Sequence, residues 1–318
     1  MNMPVSAAKK QLPRSRPLDK MAPLAFLVAL SAVLAVANSR FAQPDNLLTM
    51  VRQSAVIIVI ATGQTLLMIS GGIDLSVGSV IALSVVAAGR KNKAGTDPIV
   101  GAAAAIAVAV LAGLVNGIVT TKARVAAFIA TLGMMGIARG LALVLSGGVA
   151  LPIPKAYLAI GARSEFFGVV VLLVVGVAYF ALTRTAFGRH IYAVGGNKQA
   201  ARLSGINVDS HMIKVFTVNG LIVGIAAILL MARVGSIASP TSGEGYELDT
   251  IAAAVIGGTS LMGGQGSVGG SLIGALIMAV LRNGCNLLNV SDYWQLVVIG
   301  TLIIVAVFYD GMRTRSRT

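Results

Sequence analysis

Apolar residues in this chain come in long runs separated by short polar interruptions. The runs fall at 22–38, 54–70, 75–89, 98–121, 125–146, 166–182, 214–233, 249–262, 268–284 and 293–309. A helix needs roughly 17–25 apolar residues to cross a bilayer, and most of the runs approach that length. None shows the alternation a membrane barrel requires. Backbone groups in lipid must find their hydrogen bonds inside the protein, so each run predicts a helix. The expected fold is all-α: a polytopic membrane helix bundle of about ten transmembrane helices, both termini cytoplasmic.

Composition agrees. The 318 residues are 56% hydrophobic and 11% charged, where soluble domains run about 25% charged. Mean hydropathy is +0.87. The net charge of +14 would suggest nucleic acid in a soluble protein. Here the basic residues sit in short segments between apolar runs, where positive charge marks the cytoplasmic side. Membrane lipid is therefore the expected surrounding, and nucleic acid is not an expected partner. The single cysteine, Cys285, excludes an intrachain disulfide and a Cys-rich metal site, and reads as a small buried apolar residue.

The basic residues also orient the bundle. Lys9, Lys10, Arg14, Arg16 and Lys20 mark residues 1–21 as a cytoplasmic tail. Residues 22–309 form the transmembrane domain, and 310–318, with Arg313, Arg315 and Arg317, form a second cytoplasmic tail. Segment 183–213 carries Arg184, Arg189, Lys198 and Arg202 and is the largest cytoplasmic loop. One loop objects: Arg90, Lys91 and Lys93 fall outside unless 54–89 is one broken element. Ala35-Val36-Ala37 resembles a signal-peptidase site, but the membranous remainder favours an uncleaved first helix.

Three motifs stand out. In Gly71-Gly72-Ile73-Asp74-Leu75-Ser76-Val77-Gly78-Ser79 a carboxylate lies between two apolar runs. A charge at a membrane-helix centre costs about 2.5–3.5 kcal/mol on insertion scales, so Asp74 must face a cavity, a helix end or a partner. It reads either as lining a translocation path at a helix break or as capping a turn. Asp74, Ser76, Gln64 and Asn116 are the translocation-path candidates. The glycine-dense stretch 257–270 lacks the Gly-Lys-Ser/Thr of a phosphate loop. It reads as turns and close helix packing, as do Gly113-xxx-Gly117, Gly136-xxx-Gly140 and Gly220-xxx-Gly224. The third motif is 195–206. Asn197 starts a short helix, Lys198 to Leu203 favour it, and Gly205 ends it. A helix bounded by glycines inside the largest cytoplasmic loop suits docking of another protein. Glu244 and Glu247 make the outer loop 234–248 acidic, either as a contact for a soluble partner or as a solvated loop. No metal-ligand or nucleophile motif accompanies His190 and His211, so no enzyme, metal or cofactor is expected.

Together these motifs resemble the permease subunit of ribose-type ATP-binding-cassette importers, in the branched-chain amino acid/ribose permease superfamily. Segments 71–79, Ala127-Phe128-Ile129-Ala130-Thr131-Leu132-Gly133, 188–197, 202–206, Gly245-Tyr246-Glu247-Leu248-Asp249 and Gly257-Gly258-Thr259-Ser260-Leu261 carry the resemblance over nearly the whole chain. It implies a second permease copy, a sugar-importer ATPase subunit on the cytoplasmic side and a periplasmic sugar-binding protein, all at a bacterial inner membrane. The ATPase would dock on Gly195, Gly196, Asn197, Ala200, Ala201, Arg202, Ser204 and Gly205. The binding protein would sit near loops 146–165 and 234–248, with Glu244 and Glu247 as candidate contacts. A monosaccharide would then cross by alternating access. The rival classes are an ion-coupled secondary transporter with Asp74 at the ion site, and a passive channel.

Overall fold

The computed structural model of the protein describes residues 17–93, 97–235 and 237–315. Among them run thirteen helices: α1 Pro17–Ala37, α2 Pro44–Ile69, α3 Val77–Lys93, α4 Pro98–Thr121, α5 Ala127–Ser146, α6 Lys155–Gly161, α7 Ser164–Arg184, α8 Ala186–Gly196, α9 Lys198–Leu203, α10 Val208–Val234, α11 Tyr246–Ile256, α12 Val268–Leu287 and α13 Asp292–Arg315. Strand β1 Leu151–Pro152 pairs antiparallel with β2 Ile237–Ala238, matching Leu151 to Ala238 and Pro152 to Ile237. The N-terminal Lys9, Lys10, Arg14 and Arg16 and the C-terminal Arg317 lie outside the described residues.

Each of the ten apolar runs coincides with a helix. Six, namely α2, α4, α5, α7, α10 and α12, are long and apolar enough to cross a membrane. The run 249–262 is different, because α11 stops at Ile256. Its eleven residues rise about 16 Å, roughly half the hydrocarbon core. Gly258, Gly263, Gly264 and Gly266 then take positive φ and turn the chain back toward α12. Helix α8 lies inside the segment that reads as a polar loop in sequence, and α6 follows β1 in another loop.

Helix α2 organises the bundle. Every residue from Ser54 to Ile69 is buried. In a bilayer an apolar face can meet lipid, so the polar Ser54, Thr62, Gln64 and Thr65 of α2 favour protein neighbours. Here α7, α8, α10, α11 and α12 surround it. By contrast, α7 exposes Leu172, Leu173, Val177 and Phe180, the surface expected to meet lipid.

Glycines set the closest helix contact. A Cβ added at Gly220 of α10 would collide with the Ala109 carbonyl and approach the Gly113 Cα of α4. One at Gly117 or Gly224 would meet the backbone of Ile213 or Ile106 in the same seam. The two small-residue motifs of α4 and α10 therefore face each other. A Cβ at Gly136 or Gly140 of α5 would have nothing within 4 Å, so that motif packs against no other helix among the described residues. Cys285 is partly exposed rather than buried.

Gly220→Leu should lower stability by about 2 kcal/mol or more through overpacking against α4. Gly136→Leu should be near neutral. Thermal unfolding in detergent, followed by size-exclusion chromatography, checks the contrast.

Candidate functional site

The site grows from the break between α2 and α3. Ser70 closes α2, and Gly71 takes φ 78°. The Gly72 amide donates to the Leu67 carbonyl at 3.0 Å and the Gly71 amide to Met68 at 2.9 Å. This is a Schellman closure, which satisfies the last carbonyls of the helix. Asp74 then starts the next element. Its Oδ1 accepts from the Ser76 amide at 2.8 Å and the Ser76 hydroxyl at 2.5 Å. Its Oδ2 accepts from Asn219 Nδ2 of α10 at 2.9 Å. Asn116 of α4 donates to the Ser76 hydroxyl at 3.1 Å. Thr131 of α5 reaches the Ile73 carbonyl at 3.3 Å. Three helices thus hold one break.

The four path candidates all lie inside the chain: Asp74 is 3% exposed, Ser76 and Gln64 0%, and Asn116 2%. The fold brings Asp74, Ser76 and Asn116 into one network. Gln64 stands apart on α2, buried, with neither amide atom hydrogen-bonded among the described residues. Asn219, which sequence reasoning missed, supplies the partner for Asp74. Its signal was an amide inside an apolar run.

A second interrupted element leans on the first. From Gly235 the chain passes through β2 to Gly243 and Gly245, both at positive φ, and starts α11. Two arginines within apolar runs hold this path. Arg139 of α5 donates to the Pro240 carbonyl at 2.7 Å and, at 3.4 Å, to that of Ser242. Arg282 of α12 donates to Asp249 Oδ1 at 2.8 Å and lies 2.7 Å from its Oδ2. A Cβ at Gly78 of α3 would collide with the Gly243 carbonyl and the Glu247 carboxylate, so the starts of α3 and α11 meet through glycine. Glu247 turns an oxygen inward with no hydrogen-bond partner among the described residues, while Glu244 is exposed. The loops after α5 and α10, expected to share a face, are joined by the β1–β2 pair.

The segment 195–206 reaches both interruptions. Thr185 caps α8 by accepting from the Gly188 amide at 3.3 Å. Asn197 caps α9 by accepting from the Gln199 and Ala200 amides, both at 2.9 Å. Gly205 ends it at φ 84°, as its sequence position predicts. A Cβ at Gly195 would collide with the Ile69 carbonyl of α2 and approach the Gly264 amide. Gly264 itself donates to Ile69 at 2.7 Å, and Tyr192 donates to the Gly266 carbonyl at 2.8 Å. Burial raises the Tyr192 pKa, which keeps the phenol a donor. Of the docking candidates, Gly196, Asn197, Ala200, Arg202, Ser204 and Gly205 are exposed, and Gly195 is half-buried. Ala201 faces inward at 3% exposure and seats the helix. Leu203, which the motif reading passed over, is 91% exposed. Arg202 pairs with Asp209 at 3.2 Å on the open surface.

The family model described as "Branched-chain amino acid transport system / permease component" matches residues 46–307. The ribose import permease protein of Escherichia coli (strain K12) is 41% identical over 298 residues, covering 90% of this chain and 92% of that protein. The ribose import permease protein of Bacillus subtilis (strain 168) is 40% identical over 305 residues, covering 93% and 94%. The D-allose transport system permease protein of Escherichia coli (strain K12) is 37% identical over 308 residues, covering 91% and 90%. No solved structure matches.

Removing Arg282 should strand a buried carboxylate. Arg282→Met alone should cost about 3 kcal/mol, and the double change Arg282→Met with Asp249→Leu should recover most of it. A double-mutant cycle of thermal stability reads the coupling.

Proposed function

This chain belongs to the family of branched-chain amino acid transport system permease components, and on that premise we propose that it is the membrane subunit of an ATP-binding-cassette importer carrying a monosaccharide of the ribose type. The observation that carries this reading is identity of about 40% to ribose import permeases across nine-tenths of both chains. Relatives named for D-allose, fructose and L-arabinose set the class as monosaccharides without singling one out. The chain is a transport component rather than an enzyme, a multi-pass protein of a bacterial inner membrane.

In the arrangement we favour, about ten helices cross or enter the membrane and both termini are cytoplasmic. A second permease copy completes the pathway. A separate ATPase subunit docks on 195–206, with the exposed Leu203 as an apolar knob among polar neighbours. A sugar-binding protein sits on the loops joined by β1 and β2, where Glu244 is exposed. Movement of α9 would pass through Gly195 and Tyr192 to the end of α2 and to the 257–267 loop, and so reach both interruptions together. High affinity resides in the binding protein, so the pathway needs few charges. Asp74 then acts as the clamp of the α2–α3 break.

The same network weighs against the ion-coupled alternative. Each hydrogen-bond partner of Asp74 among the described residues is a donor: the Ser76 amide, the Ser76 hydroxyl and the Asn219 amide. A bound cation would instead need oxygens presented as acceptors.

Reconstituted with its ATPase and binding protein, the importer should lose uptake to vanadate and keep it with a protonophore. Leu203→Asp should weaken ATPase association at least about tenfold, and Gly205→Trp should act alike. Uptake that resists vanadate but collapses with the protonophore would reverse the assignment.

A further inference from the structure

The far end of the loop after α5 carries a cleft to which the transport reading assigns no ligand. It lies at the turn between α6 and α7, has a volume of about 590 Å³, and is lined by Ala159, Ile160, Arg163, Glu165, Phe166 and Val169. Four of these residues are apolar and two carry opposite charges. Both charged residues are exposed, and neither belongs to an ion pair among the described residues.

The turn that presents them is held from inside. Arg52 of α2 donates from Nε to the Ser164 hydroxyl at 3.1 Å and from Nη2 to the Ala162 carbonyl at 3.0 Å. Arg163 and Glu165 therefore project from a fixed backbone. Next to the cleft, α7 exposes Val169, Leu172 and Leu173. Since α7 is long and apolar enough to span the bilayer, its first turn falls where hydrocarbon gives way to headgroups.

We propose that this cleft binds one phospholipid whose headgroup bears both a phosphate and a primary ammonium, as in phosphatidylethanolamine. The phosphate meets the Arg163 guanidinium, whose planar donors suit it. The ammonium donates to the Glu165 carboxylate. An acyl chain lies along Ile160, Phe166 and Val169. An anionic headgroup without an amine would bring negative charge to Glu165 and gain nothing there. A quaternary ammonium would bring charge but no N–H donor.

Native mass spectrometry of the protein in nanodiscs holding equal parts phosphatidylethanolamine, phosphatidylcholine and phosphatidylglycerol tests this. The wild type should retain phosphatidylethanolamine over each of the others by about threefold or more, the scale of one exposed ion pair. Glu165→Gln should erase the preference over phosphatidylglycerol. Arg163→Gln should weaken retention of all three lipids. Both side chains are exposed, and an unchanged melting temperature confirms intact folding. Equal retention of the three lipids, a preference for phosphatidylglycerol, or a preference untouched by both substitutions would overturn the proposal and leave the cleft an ordinary contact with bulk lipid.

Discussion

Backbone groups that leave a helix inside an apolar bundle have no water to turn to. This constraint shapes both interruptions in the molecule. After α2, glycines at 71 and 72 return their amides to the carbonyls of Met68 and Leu67. The Ile69 carbonyl is served by the amide of Gly264, which belongs to the other interruption. Within that second loop the Ser260 amide donates to Gln265 at 3.0 Å. The second broken element thus completes the hydrogen bonding of the first. The Asp74 network does the same with side chains, recruiting Asn116, Thr131 and Asn219 from three helices. A carboxylate in this setting is tolerable because each of its oxygens accepts from a donor.

Charge inside the bundle follows the same logic. Arg139 and Arg282 sit in apolar runs and look anomalous in sequence. In the fold Arg139 is spent on carbonyls of the irregular stretch leading into α11, and Arg282 on Asp249 in the first turn of α11. Arg139 acts where an irregular chain runs beside regular helices and offers carbonyls that the helices do not. Their cost of burial is offset by the hydrogen bonds they make there.

Much of the architecture was legible from the apolar runs, since each run became a helix. The short helix α9 was legible too, from Asn197 at one end and Gly205 at the other. What escaped was set by tertiary context. Helix α8 is amphipathic and carries His190 and Arg189 on a chain that reads as polar loop. Its packing on α2, α7 and α10 and the Thr185 cap stabilise it as a helix. The run 249–262 has the composition of a membrane segment but ends at Ile256, because the glycines beyond prefer turns. The site was half legible. Asp74 and Ser76 announced a break, whereas Asn219 and Tyr192 matter only through long-range partners that no local pattern reveals. On α9 the sequence pointed to Ala201 for docking and passed over Leu203, and burial reverses the two, with Ala201 inward and Leu203 exposed.

The glycine at 195 has a consequence for how this chain can diverge. Every single-base missense change of a glycine codon adds a side chain, and any side chain there meets the carbonyl of Ile69. The neighbouring surface positions face no such barrier, since Lys198, Gln199 and Arg202 project into solvent. On the docking proposed above, specificity for one ATPase over another would drift through those side chains, while the glycine joint stays closed to substitution. Lineages that exchange partners would be expected to rewrite the rim of the segment and inherit its hinge unchanged.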